Sequence, residues 1–244
     1  MIIQISEADD LRLEPYRFVR ERDVAGRGER FIAEGKVVLN CLVKSRDFQA
    51  DSLLILDSRL PGLSNLLASL PPQLPVYVAG QEILDRVAGF HVHRGILASG
   101  IRTRHRTMTD IVFDCPDNPL LVVLSGISNH DNIGGIFRNA AAFGADGVIL
   151  DNHCCNPLYR KALRVSVGGV LTVPWATGRS ADAIAADLSA AGFSLFALSP
   201  SGANDIRSIP ISGKRAIFLG SEGHGLAPSI MNSLETFRIP MKGN

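Results

Sequence analysis

The sequence predicts an α/β protein in two parts: a small N-terminal α/β/α domain and a C-terminal α/β domain built on a parallel sheet. Two observations predict this class. Short apolar runs suited to buried strands alternate with segments of helical periodicity along the chain. In the second half, single helices separate most successive strands, which implies parallel pairing with right-handed crossovers. With 46% hydrophobic residues among 244, the chain can bury a sizeable core.

The N-terminal domain is predicted over residues 1–108. Residues 31–45 (FIAEGKVVLNCLVKS) have the apolar spacing of an amphipathic helix, as do residues 80–90 (GQEILDRVAGF). Between them, DSLLILDSR and PVYVAG are predicted to be short buried strands. Residues 109–118 end in the turn signal Pro-Asp-Asn and are predicted to be a linker.

The C-terminal domain is predicted over residues 119–244, beginning with PLLVVLSGI, a continuous apolar run typical of a strand buried on both faces. A helix over residues 132–144 follows. The later segments are predicted, in order, as strand DGVILDN, helix NPLYRKALRVSVGG, strand VLTVPW, helix SADAIAADLSAAG, strand FSLFALSP, strand RAIFLGS, helix HGLAPSIMNSLE and strand TFRIPM. Ligands of parallel sheets bind at the carboxyl ends of strands, so the loops after these strands are candidate sites.

Charge excludes the uniformly basic class of nucleic-acid-binding proteins, because the formal net charge is only +1. Any contact with RNA must therefore come from local clusters. Two such clusters are present: the first contains Arg17, Arg20, Arg22, Arg27 and Arg30, and the second is RTRHR at residues 102–106. Arg27 and Arg30 of the first cluster are the candidates for RNA binding, together with Arg160, Lys161 and Arg164 after a predicted strand. A solvated surface is the alternative interpretation of these candidates.

Cysteine spacing and the N-terminus exclude two further classes. The four cysteines lack the spacing of a zinc site, so we expect no metal. The N-terminus lacks the basic start and apolar core of a signal peptide, so we expect a cytoplasmic protein.

Three loops carry residues suited to chemistry. In NHDNIGGIFRNAAAFG, residues 129–144, Arg138 lies at the edge of the apolar stripe of a helix. Helical side chains lean toward the N-terminus, so we expect Arg138 to reach back over Gly134 to the helix start, where anions are favoured. In LGSEGHGL, Gly220 and Gly223 are expected to let a ligand approach the backbone. Glu222 is either a partner for the following helix or a site carboxylate. The third loop follows FRIPM.

Together these loops resemble the signature of the SpoU/TrmH family of RNA 2′-O-ribose methyltransferases, in the SPOUT superfamily. The family pattern is N-x-G-x-x-x-R-N, then G-x-E-x-x-G, then I-P-M-x-G. The matching positions are Asn132, Gly134, Arg138, Asn139, Gly220, Glu222, Gly225, Ile239, Pro240, Met241 and Gly243. The N-terminal part also resembles the substrate-binding domain of this family.

The resemblance implies an enzyme that uses S-adenosylmethionine, a deep trefoil knot in the parallel-sheet domain, and a homodimer. It implies catalytic roles for Arg138, Asn132 and Glu222. The residues expected to bind the cofactor are Gly220, Ile239, Leu198, Leu219 and Met241. RNA is the implied partner, with rRNA favoured over tRNA. The family pattern continues beyond I-P-M-x-G with a further segment and a closing helix, so we expect the natural protein to extend past Asn244.

Two other function classes remain as alternatives. One is an RNA-binding protein that retains the methyltransferase fold without catalysis, which the presence of Arg138, Asn132 and Glu222 disfavours. The other is a nucleotide-binding α/β enzyme of unrelated chemistry, which the absence of Walker and dinucleotide-binding glycine patterns disfavours.

Overall fold

The computed structural model describes residues 1–17 and 30–240, and the chain divides into two compact units. The N-terminal unit contains residues 1–105 and 156–172, and the C-terminal unit contains residues 106–155 and 173–244. The predicted α/β class is confirmed, because each unit holds a sheet with helices packed against it.

The N-terminal unit is built on a five-stranded mixed sheet of order β1-β4-β3-β5-β2. Its strands are β1 (Ile2–Gln4), β2 (Arg30–Glu34), β3 (Phe48–Leu56), β4 (Val76–Ala79) and β5 (Ile96–Arg102). Its helices are α1 (Lys36–Lys44), α2 (Ser64–Ala68) and α3 (Gln81–Ala88), with 3₁₀ helices at Leu11–Tyr16 and Asp57–Leu63. Strands β1, β4 and β3 are parallel, whereas β5 runs antiparallel to β3 and β2. Leu13, Leu54 and Leu84 lie in its buried core.

The C-terminal unit is built on a seven-stranded parallel sheet of order β10-β12-β9-β11-β6-β7-β8. Its strands are β6 (Leu120–Leu124), β7 (Gly147–Leu150), β8 (Trp175–Thr177), β9 (Ser194–Leu198), β10 (Asn204–Asp205), β11 (Arg215–Leu219) and β12 (Glu235–Arg238). Its helices are α4 (Met108–Asp114), α5 (His130–Phe143), α8 (Ala181–Ala190) and α9 (Pro228–Ser233), with a 3₁₀ helix at Ile206–Ser208.

Side chains alternate between the two faces of the parallel sheet, as the pleat requires. Val123 and Phe218 point into a core that also contains Ile111 of α4, Ile184 of α8 and Ile230 of α9. Helix α5 is also held by buried apolar contacts. The ring of its Phe137 packs edge-on against the Trp175 ring, with 6.4 Å between centroids.

The segment predicted as one helix over residues 31–45 is instead a strand followed by a helix, β2 and α1. Gly35 separates them with φ of +90°, a conformation that a continuing helix cannot contain. Phe31, Ile32 and Ala33 are buried in the sheet. The helix prediction was wrong here because a short apolar run fits either structure.

The predicted linker, residues 109–118, begins as helix rather than as an irregular connection, since most of α4 lies within it. Thr107 caps this helix: its hydroxyl accepts from the Asp110 amide, and the Asp110 carboxylate accepts from the Thr107 amide. Ile111 of α4 is buried in the core of the C-terminal unit. The turn signal at residues 116–118 thus marks only the connection from α4 to β6.

Residues 156–172, which connect two strands of the parallel sheet, belong to the N-terminal unit. They form α6 (Arg160–Val165) and α7 (Gly169–Thr172), so the predicted strand VLTVPW begins as helix and only its last residue, Trp175, starts β8. Val170 and Leu171 are buried, and the Ser45 hydroxyl donates to the Leu171 carbonyl at 2.8 Å. Tertiary packing has overridden the β-propensity of this apolar run.

Candidate active site

Three neighbouring strands of the C-terminal unit end at one edge of its sheet and present apolar residues there. Phe237 of β12 is in register with Leu198 of β9, and Phe218 of β11 is in register with Ala197. Leu198, Leu219 and Ile239 therefore follow one another across the carboxyl ends of β9, β11 and β12. Leu198 and Leu219 are half-buried, and Ile239 is 60% exposed. The family resemblance predicted that all three bind the cofactor, and in the structure their backbones lie at one edge of the sheet.

The loop after β11 folds back on itself as a narrow turn. Ser221 and Gly225 form a bridge in which the Gly225 amide donates to the Ser221 carbonyl at 2.9 Å. A Cβ on Gly220 would lie 2.1 Å from the carbonyl carbon of Gly225 and 2.3 Å from the Leu226 nitrogen. Gly220 therefore has no room for a side chain because its own chain crosses there, and its expected role in ligand approach stays a prediction.

Gly223, in contrast, faces open space. Apart from its chain neighbours, no atom of the described residues lies within 4 Å of the position that its Cβ would occupy. Gly223 therefore has the room that the expected approach of a ligand requires.

Asn132 and Glu222, which come from different signature motifs, are in direct contact. The Asn132 side-chain Nδ2 donates to Oε2 of Glu222 at 3.0 Å. Asn132 lies in the first turn of α5, whose N-terminus is capped by the Asn129 side chain accepting from the Asp131 amide at 2.9 Å. This contact favours the site-carboxylate interpretation of Glu222 and joins the start of α5 to the loop after β11.

Arg138 is exposed on α5. Within residues 1–17 and 30–240, it forms no hydrogen bond or ion pair. An arginine that stabilised the fold would be expected to have a carboxylate or carbonyl partner. Its guanidinium is thus available to an external group.

Asp151, a residue that the motif analysis missed, organises the loop between β6 and α5. Its carboxylate is buried and accepts from the Ser125 hydroxyl at 2.9 Å, the Gly126 amide at 3.1 Å and the His153 amide at 3.0 Å. Ionised carboxylates in such settings make strong hydrogen bonds. In the sequence, Asp151 directly follows a buried strand. At such a position, a structural aspartate cannot be distinguished from a catalytic one by sequence alone.

The nearby Cys154 is also structural. Its thiol donates to the Leu124 carbonyl and accepts from the Ile127 amide, both at 3.3 Å. Burial raises the pKa of this thiol to about 12. In the described part of the chain, no three side chains of His, Cys, Asp or Glu are grouped so that they could hold a metal ion.

The residues expected to bind RNA have different surroundings. Arg30 pairs with Asp51 at 3.4 Å, whereas Arg160 forms a half-buried ion pair with Glu34 at 2.7 Å and lies 4.3 Å above the Phe90 ring. Lys161 and Arg164 are exposed. All of these belong to the N-terminal unit. Arg27 and Met241 lie outside the described residues.

No helix among the described residues has both the length and the apolar character that crossing a bilayer requires.

Comparisons with known proteins show which family this chain resembles. The SpoU rRNA Methylase family matches residues 119–244. An uncharacterised tRNA/rRNA methyltransferase of Mycobacterium bovis is 34% identical over 248 residues, covering 97% of this chain and 83% of that protein. The 23S rRNA (guanosine-2′-O-)-methyltransferase RlmB of Photobacterium profundum is 27% identical over 191 residues, covering 77% of each chain.

Solved structures share the fold. The AdoMet-bound rRNA methyltransferase of Sinorhizobium meliloti superposes with a TM-score of 0.80 at 19% identity, covering 100% of this chain and 90% of that one. The family signature, the match over the C-terminal residues and the near full-length relative agree. This chain therefore belongs to the SpoU family of rRNA methylases.

Proposed function

We propose that this protein transfers a methyl group from S-adenosylmethionine to a ribose 2′-hydroxyl of structured RNA, with rRNA favoured over tRNA. The contact between Asn132 and Glu222 carries the proposal, because it joins two signature motifs beside the strand ends. The name of the Photobacterium profundum relative, a 23S rRNA 2′-O-methyltransferase, supports the ribose and the rRNA parts.

The strand ends of β9, β11 and β12 suit the cofactor. S-Adenosylmethionine has a flat adenine that packs on aliphatic side chains and polar groups that bind backbone amides and carbonyls. Leu198, Leu219 and Ile239 supply the aliphatic surface, and the open space at Gly223 leaves room beside the loop. When bound, the cofactor supplies an electrophilic methyl group on a positively charged sulfur. The Gly220 backbone would border the proposed pocket, and Met241, which lies outside the described residues, stays a predicted cofactor residue.

Arg138 has the central catalytic role in this proposal. The attacking ribose hydroxyl loses its proton, so negative charge develops on its oxygen. A guanidinium stays protonated near neutral pH and is a poor base, but it can bind the neighbouring phosphate and stabilise that charge. The proton would pass to the phosphate or to water. Because Arg138 forms no hydrogen bond or ion pair within the described residues, it can bind RNA without breaking one.

Asn132 and Glu222 would act as positioning residues. Their hydrogen bond fixes the start of α5 against the loop after β11, and that loop borders the proposed cofactor pocket. Asp151 would support the same region by holding Ser125 and Gly126, which lie between β6 and α5.

The test uses rRNA and tRNA purified separately from a strain that lacks the gene. Each is incubated with the protein and methyl-labelled S-adenosylmethionine, and the digested nucleosides are analysed by mass spectrometry. We expect a 2′-O-methylnucleoside in rRNA. A label on a base would contradict the ribose part, and a label only in tRNA would contradict the substrate preference. Cofactor binding without transfer to either RNA would favour the non-catalytic alternative.

We also propose that the enzyme is a homodimer and acts in the cytoplasm, where its rRNA substrate would be found. The C-terminal unit has an apolar cavity of about 220 Å³ between α5 and strands β6, β9 and β11, and Leu198 and Leu219 of the proposed cofactor pocket also line it. Phe143 at its rim is 82% exposed, and a second copy would cover it. Sedimentation velocity tests this: Phe143→Lys should shift the protein toward monomer, and a monomeric wild-type protein would contradict the proposal.

A further inference from the structure

The N-terminal unit contains a basic cleft of about 510 Å³, at a place that none of the family motifs marks. Its polar lining consists of Lys36, Arg59, His93 and Arg94, and the rest is aliphatic or glycine. None of the described residues that line it is acidic. We refer to it as the basic cleft.

Three hydrogen-bonded chain segments build the basic cleft at one edge of the sheet, where β2 and β3 end and β5 begins. The Gly35 amide donates to the Ile96 carbonyl at 2.9 Å, and the Leu56 amide donates to the Gly95 carbonyl at 2.8 Å. The segments that carry Lys36, Arg59 and Arg94 are thus fixed to one another through the backbone. The concentration of positive charge is therefore built into the sheet edge.

Two glycines make room for the two arginines. A Cβ on Gly35 would lie 2.8 Å from Cδ of Arg94 and 3.0 Å from its Nη1. A Cβ on Gly95 would lie 3.0 Å from Cγ of Arg59. Each arginine therefore lies across a glycine, and the guanidinium of Arg94 is held at the start of α1.

Within the described residues, the cations of the basic cleft have no carboxylate partner. Within the described chain, Arg59 and Arg94 have neither a hydrogen bond nor an ion pair. The Lys36 ammonium donates to the Gly62 carbonyl at 3.0 Å, which leaves its other two N–H donors available. Neighbouring positive charges repel one another, so their grouping without carboxylates favours the binding of an anion.

We propose that the basic cleft binds a backbone phosphate of the RNA substrate, an inference that rests on the proposed function. Arginine and lysine together suit a phosphate, which can accept from several donors at once. The nine-residue helix α1 begins here at Gly35, which has no side chain to cap it, so its first amides add to the attraction. Among the described residues, the lining includes no Phe, Tyr or Trp, and its positive charge is suited to the phosphate backbone rather than to base edges.

The test measures the affinity of the full-length protein for rRNA purified from a strain lacking the gene, across a range of salt concentrations. Lys36→Gln, Arg59→Gln and Arg94→Gln should each weaken binding by roughly three- to tenfold and reduce the slope of log affinity against log salt by about 1. S-Adenosylmethionine affinity should stay unchanged, and circular dichroism should show an intact fold.

Arg86→Gln is the matched control, because Arg86 lines a different cleft of the same unit together with Glu7, Asp9 and Glu82. It should leave affinity and salt slope at wild-type values. Hydrogen exchange gives an independent measurement: rRNA should slow exchange of the amides at residues 35–38 and 93–96 in the wild-type protein.

Wild-type affinity and salt slope in all three variants, or a loss in Arg86→Gln as large as theirs, would overturn the inference. Unchanged hydrogen exchange at the cleft on saturation with rRNA would also overturn it. If the wild-type protein binds rRNA through the cleft but transfers no methyl group, only the proposed function fails. If the variants bind and methylate rRNA normally, only the cleft inference fails.

Discussion

The side-chain amide of Asn132 donates a hydrogen bond of 3.0 Å to the carboxylate of Glu222, and these two residues lie on elements far apart in sequence. Asn132→Ala and Glu222→Ala should each lower methyl transfer by about ten- to a hundredfold, because the start of α5 and the loop after β11 lose their mutual alignment. A double-mutant cycle should give a coupling energy of about 1 kcal/mol in stability. Strictly additive effects on both rate and stability would contradict the positioning role.

Arg138→Ala should reduce kcat by at least about a hundredfold and change S-adenosylmethionine affinity by only a few-fold, because the lost contacts form mainly in the transition state. Arg138→Lys should restore little of the lost kcat, since a single ammonium cannot reproduce the paired hydrogen bonds of a planar guanidinium. Single-turnover kinetics and calorimetry measure the two quantities. The control is Arg179→Ala, because Arg179 is also exposed in the C-terminal unit but pairs with Asp187. Equal losses of rate in both variants, or a collapse of cofactor binding, would refute this assignment.

Gly220→Ala should destabilise the protein, because the new Cβ would meet the backbone of Gly225 and Leu226 at 2.1–2.3 Å. Overpacking of this kind costs about 2–3 kcal/mol, which corresponds to a fall in Tm of roughly 5–10 °C for a chain of this size. Gly223→Ala, three residues along the same loop, should leave Tm unchanged because its Cβ faces open space. Differential scanning calorimetry of the pair checks the argument, which fails if the two variants melt alike.

Arg160→Ala should lower the free energy of unfolding and leave RNA affinity unchanged. The change would leave the buried carboxylate of Glu34 without its ion-pair partner. An uncompensated charge at this depth costs about 2–4 kcal/mol. Arg164→Ala, on the same helix but exposed, should weaken RNA binding and leave the urea midpoint unchanged. If Arg160→Ala unfolds at the wild-type urea concentration, the ion pair contributes nothing and the assignment is wrong.

Stability should fall at alkaline pH because of two half-buried thiols. Burial raises the pKa of Cys154 from 9.0 to about 12 and that of Cys115 from 9.0 to about 11. Above pH 9 the unfolded chain releases thiol protons that the folded chain retains, so a rise in pH favours unfolding. Cys154→Ser removes one titrating group and should reduce the loss of urea resistance between pH 8 and pH 10. An identical loss in this variant would contradict the role of Cys154.

Much of the C-terminal fold could be predicted from the sequence because its strands are continuous apolar runs separated by single helices. β6, β7, β9 and β11 lie where those runs predicted them, and α5 ends at Gly144, whose φ of +71° suits a helix stop. Residues 31–45 and 170–175 were misassigned because their structures depend on tertiary contacts and on one glycine conformation. Local periodicity contains neither kind of information.

The candidate site was predicted through its motifs rather than through its physical chemistry. Asn132 and Glu222 were predicted to lie in loops that follow strands. Their contact depends on the order of the strands in the sheet, and local sequence patterns do not specify that order. Asp151 was missed because its role depends on three hydrogen bonds made after folding. The basic cleft was missed because Lys36, Arg59 and Arg94 come from three separate segments, and no one stretch of sequence looks unusually basic.

The pairing of β11 with β6 sets the order in which the C-terminal sheet can assemble during synthesis. β6 and β7 are close in sequence and can pair early, but β11 must reach back to β6, with Arg215 opposite Leu120. β11 lies between β6 and β9 in the sheet, so β9 and its neighbour β12 are joined to β6 only through β11. Pairings between such distant segments close large loops and form slowly. The edge that carries Leu219, Gly220 and Glu222 is thus expected to form late. While residues 219–222 are still inside the ribosome, the nascent chain lacks this edge of the sheet and the contact between Asn132 and Glu222.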